Sequence, residues 1–257
     1  MKLAVIGGTG VYDPSWLDNP EELRIATPYG DTLLMRGTLH GHGLPLYFMN
    51  RHGAGHKVPP HRVNYRANIW ALNSVGVRRI VSTAAVGSMN AAMAPGTMVF
   101  CDQFMDFTKS RNATFFEGGD SGVTHTDMTH PYCADSRQLL MAKAHSMRLS
   151  AVSEGVYVAT EGPRFETPAE IRAYRILGGD LVGMTGVPEV VLARELGLCY
   201  STIGLVTNYA AGISKTNLTH EEVLEVMADN VQHLRQVLEE TLPELAQADN
   251  CDCQPSD

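Results

Sequence analysis

What the chain lacks narrows its identity first. No apolar run in its 257 residues reaches the roughly 20 residues that a membrane-spanning helix needs, so no membrane partner is expected. Positive charge is not in excess: 20 lysines and arginines against 28 aspartates and glutamates leave a formal charge of −8. That balance argues against nonspecific nucleic-acid binding, while leaving room for a local basic pocket that takes one small anion. Cysteine is sparse, at positions 101, 133, 199, 251 and 253 only. None of the five has the paired CxxC spacing of a metal site, and an odd count argues against a secreted disulfide framework. Cys251 and Cys253 form a CxC in the polar tail "QADNCDCQPSD", where the plain reading is a frayed terminus with reduced thiols. "MKLAVIGGTG" enters a strand at once without a cleavable signal, so a cytoplasmic protein is expected.

What is present has the composition of an ordinary globular protein, with 44% hydrophobic residues and enough length for a large core. Apolar strands such as "LAVIGG", "RIVSTAAVGS", "TMVFCDQFMDF", "GVYVATEG", "DLVGMTG" and "LCYSTIGLVTN" alternate with helical patterns. The helical segments are "HRVNYRANIWALNSVG", "ETPAEIRAYRILGG", "VPEVVLAREL" and a long final one. In the last, Leu224, Met227, Val231, Leu234 and Leu238 recur at steps of three and four, Thr219 and Glu222 form a capping box, and Pro243 marks the end. Alternation of this kind predicts a single α/β domain over residues 1–245, a mixed central sheet flanked by helices, with a polar tail at 246–257.

Polar residues fall at strand ends, where open α/β sheets bind their ligands. Thr9 follows the first strand, "TAA" closes another, and Glu166, Thr185 and Asn208 follow or end three more. "GGTG" at 7–10 fails the dinucleotide fingerprint, which would require glycine at Asp13. Its glycine turn still exposes backbone N–H groups to an anion of phosphate size. In "NRHGAGHKVPPH" the histidines have poor zinc geometry, and Arg51 beside His52 suits an oxyanion better; the plain alternative is a solvated basic loop. Met184 offers an adaptable apolar surface, and Asn208 an amide that both donates and accepts. "TEGPRFETPAE" sets Phe165 and Glu166 in a turn before a capped helix, an aromatic face next to a carboxylate.

Taken together, "IGGTG", "RHG", "VNYRANIWAL", "GPRFE", "GMTGVPEV" and "LVTN" stand in the order found in the purine nucleoside phosphorylase and methylthioadenosine phosphorylase family. The chain resembles that family from Lys2 to about Leu242. The resemblance implies an enzyme that is a trimer or a dimer of trimers, without metal or cofactor. It would use inorganic phosphate as co-substrate to cleave the N-glycosidic bond of a purine nucleoside. Carried over by position, Thr9, Arg51, His52, Ala84, Ala85 and Thr185 would bind phosphate. Phe165, Glu166, Met184, Asn208, Ala210 and His220 would bind the nucleoside, and His125 in "GVTHTDM" would reach into a neighbouring subunit's pocket. Arg51 and Asn208 would be catalytic. Ala84 stands where some methylthioadenosine phosphorylases have threonine.

The same resemblance bears on substrate. Glutamate at 166 and asparagine at 208 match the 6-oxopurine enzymes, because an ionised carboxylate accepts N1–H of hypoxanthine or guanine but opposes the bare N1 of adenine. His220 in "NLTHEEVL" matches the histidine that meets a ribose 5′-hydroxyl. Inosine and guanosine are therefore the expected substrates. A methylthioinosine phosphorylase is the near alternative, and a nucleotide-binding oxidoreductase or silent binding protein the remote one.

Overall fold

A computed structural model describes the chain except residues 9, 10, 12–15, 54, 56, 214–219, 249, 250, 252 and 254–257, and except the side chains of 220–224 and 229. Thr9, Thr219 and the side chains of His220, Glu222 and Leu224 therefore lie outside the described residues.

Among the described residues, eleven strands and five α-helices follow one another: β1 Lys2–Gly7, β2 Leu17–Ile25, β3 Thr32–Leu39, β4 Leu44–Asn50, α1 Tyr65–Ser74, β5 Val77–Ser88, β6 Met98–Phe100, β7 Gln103–Phe107, α2 Ala134–Ser146, β8 Ala151–Val152, β9 Val156–Thr160, α3 Pro168–Ile176, β10 Leu181–Gly183, α4 Glu189–Glu195, β11 Cys199–Tyr209 and α5 His220–Gln247. The main path of the sheet runs β2-β3-β4-β1-β5-β10-β9-β7, with β11 pairing β5 and β6 beside it. Pairing is mixed: β4, β1, β5 and β11 are parallel neighbours, whereas β10 meets β5 antiparallel. The mixed α/β domain expected from the sequence is the one observed.

Strands buried on both faces read as near-continuous apolar runs, as β1 and β9 do; β11 is as buried but interleaves Ser201, Thr202 and Thr207. Helices α1 and α4 cover one face, where Ile69, Leu72, Val190 and Leu192 join a core with Tyr157 and Tyr200. On the other face, Met227, Leu234, Leu238, Leu242 and Leu245 of α5 pack on Val5, Phe48 and Ile203. Each fully buried leucine of that stripe contributes about 1.5–3 kcal/mol of transfer free energy.

Three expectations need correction. Pro243 does not end the last helix, which continues to Gln247. Its apolar stripe runs on through Leu245, so packing outweighs the one hydrogen bond that proline forfeits. Strand β5 does not stop at "TAA" but extends to Ser88, held by β11 across a bulge at Thr207 and by β10. The terminal CxC is not a frayed pair: Cys253 is buried, and the sulfur atoms of Cys133, Cys199, Cys251 and Cys253 all lie within 4.8 Å of one another. Positions 133 and 199 begin α2 and β11, so only the tertiary fold brings the four together.

Candidate active site

The two edges of β5 differ in a way that creates the site. One edge pairs with β11 from Arg79 to Ser88. The other pairs with β1 only as far as Ser82, and with β10 only from Gly87. Residues 83–86 are thus left without a strand on that side. The Thr83 carbonyl points into this gap, since it accepts from Arg51 NH1 at 3.0 Å. Strand alternation turns the N–H and C=O of Ala85 to the same edge.

An open cavity occupies the gap, lined among others by Gly8, His52, Ala84, Ala85, Gly87 and Thr185. Arg51, Phe165, Glu166, Met184, Asn208 and Ala210 complete the lining that the sequence reading named. Residues from seven separate segments thus converge on one cavity. His125 does not join them: it is exposed and lies outside this lining. Gly8 belongs to the glycine turn that was read from the sequence, whereas Pro60, Val86, Gly87, Val182, Gly183 and Thr207 also line the cavity but were not read there. Their signal there is only that of apolar or small residues near strand ends.

Arg51 differs most from expectation. Its side chain is buried, with Nε and NH2 each 2.7 Å from the Glu189 carboxylate and NH2 2.6 Å from Ser82 Oγ. The forked face of the guanidinium, the one best suited to an oxyanion, is therefore already filled by Glu189. One N–H of NH1 remains beyond its bond to Thr83, and NH1 lies 3.6 Å from the position a Cβ on Gly8 would take. Burial works to strip the guanidinium of its proton, but the adjacent Glu189 outweighs it and holds Arg51 charged. Glu189, 0% exposed, also accepts from Ser82 Oγ at 3.0 Å and from the Tyr200 hydroxyl at 2.6 Å. The sequence shows Glu189 only as a first-turn helix residue, since its partner is 138 residues away.

The other polar groups are held just as firmly. His52 Nδ1 donates to the Val58 carbonyl at 2.8 Å, which fixes the ring. The backbone N–H groups of Thr185 and Gly186 donate to the Tyr157 hydroxyl at 3.1 and 3.2 Å. That phenol is kept protonated by its burial. Asn208 accepts from Thr207 Oγ1 at 2.8 Å and donates to the Tyr209 carbonyl at 2.9 Å, so its amide orientation is set and one N–H stays available.

The 163–170 turn answers to its sequence. Thr167 and Glu170 exchange the two bonds of a capping box, at 3.2 and 2.7 Å, and Pro168 opens α3. Arg164 forks onto Glu170 at 2.9 and 2.7 Å and helps pull that carboxyl down to about 2. With Arg164 held outward, Phe165 and Glu166 face the cavity. Glu166 is 8% exposed, and Thr160 Oγ1 donates to its Oε1 at 2.6 Å. Burial raises its carboxyl above the usual range, with the Thr160 bond opposing. Its own backbone N–H also stabilises the carboxylate, which lines the cavity.

Among the described residues no helix is long and apolar enough to cross a membrane. The family model described as the phosphorylase superfamily matches residues 2–243. A probable 6-oxopurine nucleoside phosphorylase from Moorella thermoacetica is 56% identical over 253 residues, which cover 98% of this chain and 96% of that one. A probable S-methyl-5′-thioinosine phosphorylase from Methanothermobacter thermautotrophicus is 47% identical, covering 98% of this chain and 87% of the relative. Among solved structures, methylthioadenosine phosphorylase from Schistosoma mansoni in complex with adenine superposes with a TM-score of 0.91 at 34% identity, covering 96% of this chain and 93% of the other. With the fold shared and nearly the whole length matched, the chain belongs to the phosphorylase superfamily.

Proposed function

We propose that the chain is a purine nucleoside phosphorylase acting on 6-oxopurine nucleosides, inosine and guanosine, and releasing free base and ribose 1-phosphate. The observation that carries this reading is Glu166: a buried carboxylate on the cavity wall, with one oxygen accepting from Thr160, and with Phe165 and Asn208 lining the same cavity. An ionised carboxylate there accepts N1–H of a 6-oxopurine, while Asn208 donates to N7. Adenine would oppose two acceptors, at a cost of about 1–3 kcal/mol. The Moorella relative bears a 6-oxopurine name, in agreement.

Phosphate is the nucleophile in this scheme. Its oxygens would be held by the Ala85 N–H, by the remaining Arg51 N–H and by the Thr185 hydroxyl, with Thr9, His52 and Ala84 assigned from the resemblance. A phosphate oxygen attacks C1′ as the C–N bond breaks, and the electron pair of that bond leaves with the purine. The sugar gains oxocarbenium character, which the phosphate charge stabilises, and the purine gains negative charge, which the Asn208 N–H stabilises. Both contacts strengthen toward the transition state, as rate enhancement requires. Met184 would pack against the ribose. No metal or cofactor has a part in this scheme. We also propose a trimer, or a dimer of trimers, in which His125 completes a neighbour's site, and a cytoplasmic setting.

The name borne by the Methanothermobacter relative supports a second reading, methylthioinosine phosphorylase, which shares the base contacts and differs at the 5′ end assigned to His220. Initial rates on inosine, guanosine, adenosine, methylthioinosine and methylthioadenosine, each with and without phosphate, separate the readings. Phosphate-dependent cleavage fastest on inosine or guanosine is expected. A preference for methylthioinosine selects the second reading, and a preference for adenosine refutes the role of Glu166.

A further inference from the structure

Cys199 opens β11, whose other end carries Asn208. Nine residues at about 3.3 Å each put roughly 30 Å between them, so the chemistry at Asn208 makes no use of the cysteines. At the Cys199 end, Cys133 at the N-cap of α2 and Cys251 and Cys253 of the C-terminal segment join it in a cluster of their own. All four sulfurs lie within 4.8 Å of one another, and Cys133, Cys199 and Cys253 are buried. No disulfide joins them. A tetrahedral centre with metal–sulfur bonds of about 2.3 Å has sulfur–sulfur edges of about 3.8 Å, so a single cation fits this set once the Cys199 and Cys251 sulfurs, 2.7 Å apart, open by about 1 Å.

We propose that Cys133, Cys199, Cys251 and Cys253 form a mononuclear tetrathiolate site for a thiophilic divalent cation, zinc by ligand chemistry, which pins the C-terminal segment to the sheet. Four soft ligands leave no open coordination position, which makes the site structural rather than catalytic. On binding, four S–H protons pass to solvent and four metal–sulfur bonds form, leaving two net negative charges.

The surroundings suit that charge. Arg79 lies opposite Cys199 in the β5–β11 register and is 0% exposed. Its oxygen partners are the carbonyls of Leu245 and Ala248, at 2.7 and 2.9 Å, and no carboxylate pairs with it among the described residues. Its Nε has no hydrogen-bond partner. Arg194, whose Nε is likewise unpartnered, donates to the Cys253 carbonyl at 2.9 Å. Ser136 Oγ donates to the Cys133 sulfur at 3.3 Å, the kind of outer contact that orients a thiolate ligand. Two neutral disulfides would leave the buried Arg79 without a full counter-charge, whereas a tetrathiolate centre supplies it. A cavity bordered by Asp127, His130 and Arg194 gives solvent a path to Cys133, Cys251 and Cys253.

The test is titration of the full-length, reduced, metal-free protein with Co²⁺, followed by displacement with Zn²⁺. One equivalent of Co²⁺ should produce the intense thiolate charge-transfer and tetrahedral d–d absorption, and Zn²⁺ should abolish it. The double change Cys251→Ser and Cys253→Ser should abolish the spectrum, Cys101→Ser should keep it, and inosine cleavage at ambient temperature should be unchanged in both. Protein purified without chelator should hold one zinc per chain by elemental analysis, and its removal should lower the unfolding temperature. A reduced wild-type protein that gives no thiolate spectrum at stoichiometric Co²⁺ overturns the proposal. So does a purified protein that, under alkylation without reductant, carries its four cluster cysteines as disulfides. The wild-type titration needs no variant, so a misfolded double mutant does not spare the proposal.

Discussion

Replacing Glu166 by glutamine is the sharpest probe of how the base is read. Thr160 Oγ1 donates to Oε1 at 2.6 Å, and a carboxamide oxygen accepts that bond as well. Glutamine therefore keeps its oxygen on Thr160 and turns its NH₂ toward the ligand. Facing hypoxanthine, that NH₂ opposes N1–H, donor against donor. Facing adenine, it matches a bare N1. The lost bond is one to a charged group, about 1.5–3 kcal/mol, which corresponds to about a 10- to 150-fold fall in kcat/KM for inosine. Adenosine should gain over the same position. Acid mimics the substitution, because a protonated Glu166 no longer accepts from N1–H. The carboxylate is the competent form, so inosine activity is present above the folded pKa and lost as pH falls through it. Burial has raised that pKa, so the loss begins at a higher pH than an ordinary glutamate would give. In Glu166→Gln this acid limb should vanish. Steady-state kinetics on inosine and adenosine at saturating phosphate, across pH, test all three points. A folded Glu166→Gln enzyme with unchanged inosine kinetics and an unchanged acid limb would refute the assignment.

Three further outcomes are expected. Arg51→Ala should cost about 3–5 kcal/mol in urea unfolding besides activity, because it leaves Glu189 buried and unpaired, and adding Glu189→Gln should restore part of the stability. Wild-type stability in the single variant would contradict the buried pair. A Cβ at Gly87 would lie 3.2 Å from both Asn208 Nδ2 and Val182 Cγ1, so Gly87→Ala should shift the amide and lower kcat/KM roughly tenfold while circular dichroism is unchanged; full activity would show that Asn208 tolerates displacement. Light scattering at assay concentration should give three or six chains per particle, and a fully active monomer would remove His125 from the site.

The chain's alternation of apolar runs made the inner sheet legible, because strands buried on both faces are made mostly of apolar and small residues. Legible too was the α3 cap, since Thr167, Pro168 and Glu170 act within one turn. The β2–β4 arm was missed: "LDNPEELRI" is mostly polar and edge-like, and antiparallel pairing with β3 is what makes it a strand. Helix α2 was missed because its residues show no clear apolar stripe and no side chain caps its start. At the site, residue types at strand ends pointed to the cavity. What they could not reveal is pairing across long separations. Arg51 meets Glu189, and Cys133 meets Cys253, only after the sheet is assembled.

The unpaired stretch of β5 divides labour between main chain and side chains. At residues 83–86 the polar groups facing the cavity belong to the backbone, so exchanging a side chain there does not remove them. Glu166 and Asn208, by contrast, sit on turns and strand ends beside the gap, where a single codon change rewrites what they recognise. In the proposed scheme, part of the anion contact is thereby tied to the architecture, and the choice of base to a few replaceable letters. Such a frame can diversify toward new nucleosides without relearning its chemistry, and a designer seeking altered substrate scope can leave β5 untouched.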